Sequence, residues 1–205
     1  MVGLDDLNLL KRAIEEHAIT RGQFPLVSGR NTDYYCTMRN LTQRPDYAEI
    51  IGELMAPAVI ELGAEGVGGM VLGAVPIADA IGAAAKRRGI IVPGFSVRPE
   101  PKSHGSEEEG GISASIAADG GVLLREGRPL AVVEDTVTTG GSAWKAVEAV
   151  TRLGCVVVLV LAVVERHEGG GVRFRERGIP FRRLFYTDEG GNLFVDEELA
   201  QRFAS

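Results

Sequence analysis

Apolar residues recur along this chain with two periods, and the alternation between them outlines a fold. Near the N-terminus, Leu7, Leu10, Ile14 and Ala18 share one stripe of a helix that Asp5 or Asp6 caps and that runs to about residue 18. Residues 24–39 are broken by Gly, Pro and Asn and read as short extended pieces around a Ser28-Gly29-Arg30-Asn31 turn, with Tyr34-Tyr35 just beyond it. Residues 46–62 are helical, and Gly63 stops them. From there the pattern alternates: a strand over 66–71, a helix over 76–88 opened by Pro76 and closed by Gly89, and a strand over 90–97. Further strands follow over 130–133, 156–164 and 181–186, with a helix over 142–153 closed by Gly154. Near-continuously apolar strands alternating with helices predict a doubly wound α/β fold, its mostly parallel sheet covered on both faces. Asp196 opens a short C-terminal helix with Leu199 and Phe203 inward. No internal repeat is present.

Composition narrows the function classes. A chain of 205 residues, 45% hydrophobic and 24% charged, supports one domain with a sizeable core. A formal net charge of −6 argues against a sequence-independent nucleic-acid surface, so any phosphate site must be local. Cys36 and Cys155 lie far apart among apolar or aromatic neighbours and fit neither a metal-ligand pattern nor a disulfide framework. The acidic start Met1-Val2-Gly3-Leu4-Asp5-Asp6 lacks a signal-peptide core, and no segment reaches the roughly 18 uninterrupted apolar residues of a membrane span. The expectation is a soluble, cytoplasmic protein. Residues 99–111, with prolines, glycines, a histidine and the run Glu107-Glu108-Glu109, cannot bury enough apolar surface to order themselves and are expected to be mobile.

The chemistry is concentrated in Leu130-Ala131-Val132-Val133-Glu134-Asp135-Thr136-Val137-Thr138-Thr139-Gly140-Gly141-Ser142. Apolar residues give way to two carboxylates, then to hydroxyls and glycines at the start of a helix. That is the layout of a buried strand ending in a phosphate cradle, where a loop and a helix N-terminus present unpaired N–H groups. Carboxylates beside an anion site would repel a bare phosphate, so they accept hydrogen bonds from sugar hydroxyls or hold a divalent cation that the phosphates share. An ordinary strand end followed by a capped turn would use the same residue types. A Walker A loop is excluded because no Gly-Lys-Ser/Thr occurs, and a dinucleotide fingerprint fits poorly because the acids precede the glycines.

This run resembles the donor signature of the type I phosphoribosyltransferase family. Three further segments are similar to the orotate branch of that family: Phe24-Pro25-Leu26-Val27-Ser28-Gly29-Arg30 followed by Tyr34-Tyr35; Val97-Arg98-Pro99-Glu100-Pro101-Lys102-Ser103-His104-Gly105, its catalytic loop; and Glu165-Arg166-His167-Glu168, which carries its substrate arginine. The resemblance implies a core over 66–186 with a mobile loop at 98–112, and a small hood built from residues 1–65 and the helix within 187–205. It implies transfer of a phosphoribosyl group from 5-phosphoribosyl 1-diphosphate to orotate, with Mg²⁺ bound mainly through the donor diphosphate and no confident protein ligand. By the same similarity Glu134 and Asp135 hold the ribose hydroxyls, and Thr136, Val137, Thr138, Thr139, Gly140, Gly141 and Ser142 wrap the 5-phosphate. Arg98, Lys102 and His104 face the pyrophosphate, Arg166 pairs with the orotate carboxylate, and the backbone near Tyr34 and Tyr35 meets the pyrimidine ring, whereas alone those tyrosines read as core packing. It further implies a homodimer in which the loop reaches the neighbouring active site. Gly73-Ala74-Val75-Pro76-Ile77-Ala78 resembles the pyrophosphate-side loop. Some relatives carry lysine where this chain has Val27, Gly73 and Pro99, which leaves Lys102 with more of the load. Lys86-Arg87-Arg88 fits a solvated helix end. A transferase for another base, or a regulatory protein that keeps the donor site without the chemistry, are the alternatives.

Overall fold

A computed structural model describes residues 2–25, 31–99 and 111–204 of the chain. Helix α1 (Leu4–His17) starts at Gly3, whose N–H donates to Asp6 Oδ2 at 2.9 Å. Neither aspartate is the cap residue that the sequence predicts; Asp6 closes the first turn from within, where its charge also meets the positive helix end. Strands β1 (Ile19–Pro25) and β2 (Asn31–Cys36) pair antiparallel, with Ile19 opposite Cys36, and the turn expected between them falls largely outside the described residues. A short helix α2 (Arg39–Thr42), too brief to show a period, leads into α3 (Pro45–Glu61), which Pro45 opens.

The remaining elements are β3 (Gly66–Met70), α4 (Ala74–Arg87), β4 (Gly94–Val97), β5 (Ile112–Ala114), β6 (Pro129–Val137), α5 (Gly141–Arg152), β7 (Val156–Glu165), α6 (Val172–Arg175), β8 (Phe181–Thr187), β9 (Leu193–Val195) and α7 (Glu197–Ala204). They form a seven-stranded sheet in the order β5-β4-β3-β6-β7-β8-β9, parallel from β4 to β8 and antiparallel at both edges. The edge strands β5 and β9 and the helix α6 are too short for the sequence pattern to register. Gly63, Gly89 and Gly154 follow α3, α4 and α5 with φ of 67°, 78° and 79°, so each predicted stop is a left-handed helix terminus.

Two strands differ from the sequence expectation. Strand β4 begins at Gly94, because Pro93 has no N–H for the ladder and offers only its carbonyl, to Val67 N–H at 3.0 Å. Strand β6 does not end at Val133: Glu134, Thr136 and Val137 stay paired with Ala162, Val164 and Glu165 of β7, so both carboxylates are strand residues. Helix α4 likewise begins at Ala74, two residues ahead of Pro76, so the segment read as a loop over 73–78 is mostly helix. Arg87 and Arg88 are more than solvated charges; both pair with Glu53 of α3, at 2.6 and 2.7 Å.

Both sheet faces are covered. Along β6, Ala131 and Val133 pack with Ile51, Met55, Ile77 and Ile81 of α3 and α4, while Leu130 and Val132 pack with Val147 and Val150 of α5. Helix α1 and Leu199 of α7 join the first face, with Phe203 partly buried against it.

One buried charge shapes the turn after β7. Glu165 accepts Gly171 N–H at 2.7 Å and pairs with Arg183, which also donates from Nε to Asp196 Oδ2 at 3.0 Å. Asp196 in turn caps α7 through Glu198 N–H, as expected. Replacing Arg183 strands the Glu165 carboxylate, which is 2% exposed. Arg183→Leu should therefore cost about 3 kcal/mol in chemical denaturation; a loss below about 1 kcal/mol would mean that Glu165 is satisfied without it.

Candidate functional site

The sheet order dictates where a ligand can enter. From β3 the chain crosses to β4 on one side, whereas β6, β7 and β8 are laid down on the other, so the connections leaving β3 and β6 diverge and open a crevice at their C-terminal ends. A cleft of about 490 Å³ lies there. Its walls are residues 70–73 at the end of β3 and just beyond it, Glu134, Asp135, Thr136, Thr138 and Ser142 on β6, the loop after it and the start of α5, Tyr35, Cys36, Thr37 and Arg39 from the hairpin and α2, and Arg166 beyond β7.

The acids carry the unusual electrostatics. Glu134 is 5% exposed, and its Oε2 is buried with no hydrogen-bond partner among the described residues. Burial and the neighbouring Asp135 charge push its pKa up to about 7, against a smaller pull from the Ser142 hydroxyl. Burial also raises Asp135, opposed by Thr136 N–H, which donates to Oδ1 at 2.6 Å, and by the charge of Arg39. Both carboxyls are thus pushed above their ordinary range, Glu134 to near neutrality. Such groups suit hydroxyl donors or a cation.

The loop after β6 ends at Gly140, whose φ of 74° is the left-handed conformation that a side chain resists. Helix α5 then starts at Gly141 with no acid in its first turn, so its free N–H groups and positive end are not neutralised from within. Gly170 backs the loop so closely that a Cβ there would lie 2.4 Å from Thr138 O. Val137 is buried in the core, so of the predicted phosphate-wrapping residues it can contribute only its backbone.

Arg166 lies beside β6, its N–H donating to Val137 O at 2.8 Å, and its side chain is only 3% exposed. Nε donates to Tyr34 OH at 3.2 Å and Nη2 to Thr32 Oγ1 at 3.0 Å, while Nη2 also lies 3.1 Å from Glu168 Oε1. Tyr34 is fully buried, with its ring under the guanidinium and its hydroxyl 2.6 Å from Thr187 Oγ1 and 3.1 Å from His167 Nδ1. Of the two tyrosines, Tyr34 packs in the interior, and Tyr35, half exposed, lines the cleft.

Arg98 follows β4, with its N–H on Gly111 O at 2.9 Å, and does not contribute to the cleft walls. Lys102 and His104 lie outside the described residues, as do Val27 and the segment 100–110. Arg39, Thr37 and Leu72 line the cleft without having been singled out by any motif. Cys36, expected as a buried thiol, is buried at the cleft wall; burial pushes its pKa up to about 11, and Thr136 Oγ1 donates to its sulfur at 3.8 Å, so it is no nucleophile at neutral pH.

No protein-family model matches the chain. Individual proteins do. The orotate phosphoribosyltransferase of Rhodopseudomonas palustris (strain BisB5) is 38% identical over 181 residues, covering 86% of this chain and 91% of that protein. The crystal structure of Mycobacterium tuberculosis H37Rv orotate phosphoribosyltransferase in complex with Fe(III) dicitrate superposes with a TM-score of 0.75 at 33% identity, over 91% of this chain and 99% of that one. The same bacterium's enzyme in complex with 5-phospho-alpha-D-ribosyl 1-diphosphate gives 0.69 at 32% identity, over 87% of this chain and 94% of that one.

The acid pair makes a prediction about pH. Glu134 is held protonated in the folded chain up to about 7, above its ordinary 4.5, so the stability it contributes is present below pH 4.5 and is lost as pH rises through 7. Relative to Glu134→Gln, the wild-type protein should lose roughly 2 kcal/mol between pH 5 and pH 8 in urea denaturation. Parallel pH curves for the two proteins would show that Glu134 is not the group responsible.

Proposed function

Because the chain belongs to the orotate phosphoribosyltransferase family, we propose that its cleft transfers the phosphoribosyl group of 5-phosphoribosyl 1-diphosphate to orotate, giving orotidine 5′-monophosphate and pyrophosphate in pyrimidine biosynthesis. The observation that carries this reading is the convergence of Glu134, Asp135, the loop into α5 and Arg166 on one cleft. Glu134 and Asp135 accept hydrogen bonds from the ribose hydroxyls, and the backbone N–H groups of residues 138–142 hold the 5-phosphate at the start of α5. As pyrophosphate leaves, the ribose gains cationic character, and the two carboxylates beside it stabilise that charge. Arg166 takes the orotate carboxylate and Tyr35 borders the pyrimidine ring.

Mg²⁺ belongs to the same reading. Among the described residues no group of three potential ligands forms a cage, while the unpartnered Glu134 Oε2 beside Asp135 fits a cation brought in on the donor. When bound, the ion neutralises charge on the departing diphosphate. Lys102, His104 and Arg98 are assigned to that diphosphate as well, in a homodimer where each loop serves its neighbour's cleft. The cytoplasm is the compartment that goes with this chemistry, and no described helix is long and apolar enough to cross a membrane.

Purified protein supplied with Mg²⁺, donor and orotate should consume the ultraviolet absorbance of orotate, and should not do so with adenine, guanine or uracil in its place. Absence of turnover across a broad concentration range would overturn the reading. Lys102→Ala should lower turnover at least about 100-fold with an unchanged melting temperature; near-normal turnover would remove Lys102 from the reaction.

A further inference from the structure

A guanidinium offers two edges on which a carboxylate can sit with two parallel hydrogen bonds, one formed by Nε and Nη2 and the other by Nη1 and Nη2. In Arg166 the first edge is filled from within the protein: Nε donates to Tyr34 OH at 3.2 Å and Nη2 to Thr32 Oγ1 at 3.0 Å. Both hydroxyls belong to the buried face of β2, and Tyr34 is pinned further by Thr187 Oγ1 at 2.6 Å, so these donors are already taken within the protein. The second edge is the one left for a carboxylate. Glu168 Oε1 is the carboxylate beside the guanidinium, an ion pair 3.1 Å from Nη2.

Glu168 is held there lightly. Its Oε2 is buried with no hydrogen-bond partner among the described residues, and His167 Nδ1 is 3.6 Å away, beyond a normal hydrogen bond. The contact is one oxygen on one nitrogen, whereas a ligand carboxylate can take both nitrogens of the edge. The pairing nevertheless has a purpose, because a guanidinium 3% exposed is costly without a counter-charge.

We propose that Glu168 is the resting occupant of the substrate-carboxylate edge of Arg166, and that orotate binds by exchanging its carboxylate for that of Glu168. This rests on the reading that Arg166 takes the orotate carboxylate. Glu168 is then a positioning residue that sets specificity through Arg166. A base without a carboxylate cannot displace it and meets an arginine already neutralised. A monodentate anion gains little by the exchange. Only a planar carboxylate that fills both nitrogens recovers more than it removes.

Steady-state kinetics and melting temperatures of Glu168→Gln, Glu168→Asp and Arg166→Lys test this. Glu168→Gln weakens the resting contact, and Glu168→Asp keeps the charge but withdraws it by one methylene. Each should lower the KM for orotate three- to tenfold while leaving the donor KM and the inhibition constant of uracil within twofold. Damage to the cleft would raise these constants together, so the split distinguishes exchange from a structural role, and Glu168→Asp decides if Glu168→Gln fails to fold. An orotate KM that is unchanged or raised in the folded Glu168 variants, with Arg166→Lys raising it at least tenfold, would overturn the exchange and leave the arginine's role standing. An orotate KM unaffected by Arg166→Lys would overturn both.

Discussion

A buried guanidinium cannot be left half bonded, and the cleft is built around that requirement. Removing the Arg166 charge from water costs several kcal/mol, offset only if its donors are met inside the protein. Thr32 and Tyr34 meet two of them from β2, so the hairpin is clamped to the C-terminal ends of β7 and β8. The fit leaves no slack: a Cβ on Gly191, in the turn between β8 and β9, would lie 2.6 Å from the Tyr34 ring. Arg21 extends the seam at the surface by donating to Gly190 O at 2.7 Å. The wall that faces β6 across the cleft stands where it does because Arg166 needs partners.

The acids obey the same rule with the opposite result. Glu134 is buried by the continuation of β6 past Val133, yet its Oε2 finds no donor, so it keeps its proton instead of acquiring a partner. Arg166 is thus satisfied within the protein while the buried oxygen of Glu134 is not. That asymmetry tells what a ligand must bring: hydroxyl donors or positive charge on the β6 side, and a carboxylate only where Glu168 can be exchanged for it. A ribose carrying a diphosphate and its cation meets the first demand, and orotate the second. The charges of the cleft are thus compatible with the pair of substrates that the family membership brings.

Much of this was legible in the chain because it depended on neighbours in sequence. Helix stops at Gly63, Gly89 and Gly154 are local backbone events, the alternation of apolar strands with helices needs no partner to be seen, and the acid-to-glycine run announces a strand end with a helix behind it. What was not legible depended on distant pairing. The ladder with β7 carries β6 through its two carboxylates, which read as polar residues past a strand end. Tyr34 and Tyr35 are the same residue type one position apart on β2, and only the approach of Arg166 and Thr187 from the far end of the chain decides that Tyr34 is buried and Tyr35 faces the cleft. Glu168 sat inside a recognised motif, but its role emerges only once the other edge of Arg166 is known to be filled. Arg39 belongs to no pattern; its place is set by the four-residue helix α2.

Charge balance then constrains how a polyanionic donor can bind here. Within the described walls the cations are Arg39 and Arg166, against Glu134 and Asp135 in the cleft and Glu168 on the arginine itself. Arg166 is neutralised, and the field of Arg39 acts on Asp135. Gly73 brings no charge of its own and has the Asp135 carboxylate as its neighbour, 3.0 Å from where a Cβ would be. The described walls therefore offer a phosphate no net attraction beyond the N–H groups at the start of α5, and on the proposed reading the remaining positive charge comes from Lys102, His104 and a metal ion brought in on the donor. The last of these is the one that also answers the unpartnered oxygen of Glu134. On the proposed reading Glu134 and Asp135 would hold such a cation, which would supply the positive charge that the described walls lack, so the acids that repel a bare phosphate would favour one that arrives with a metal.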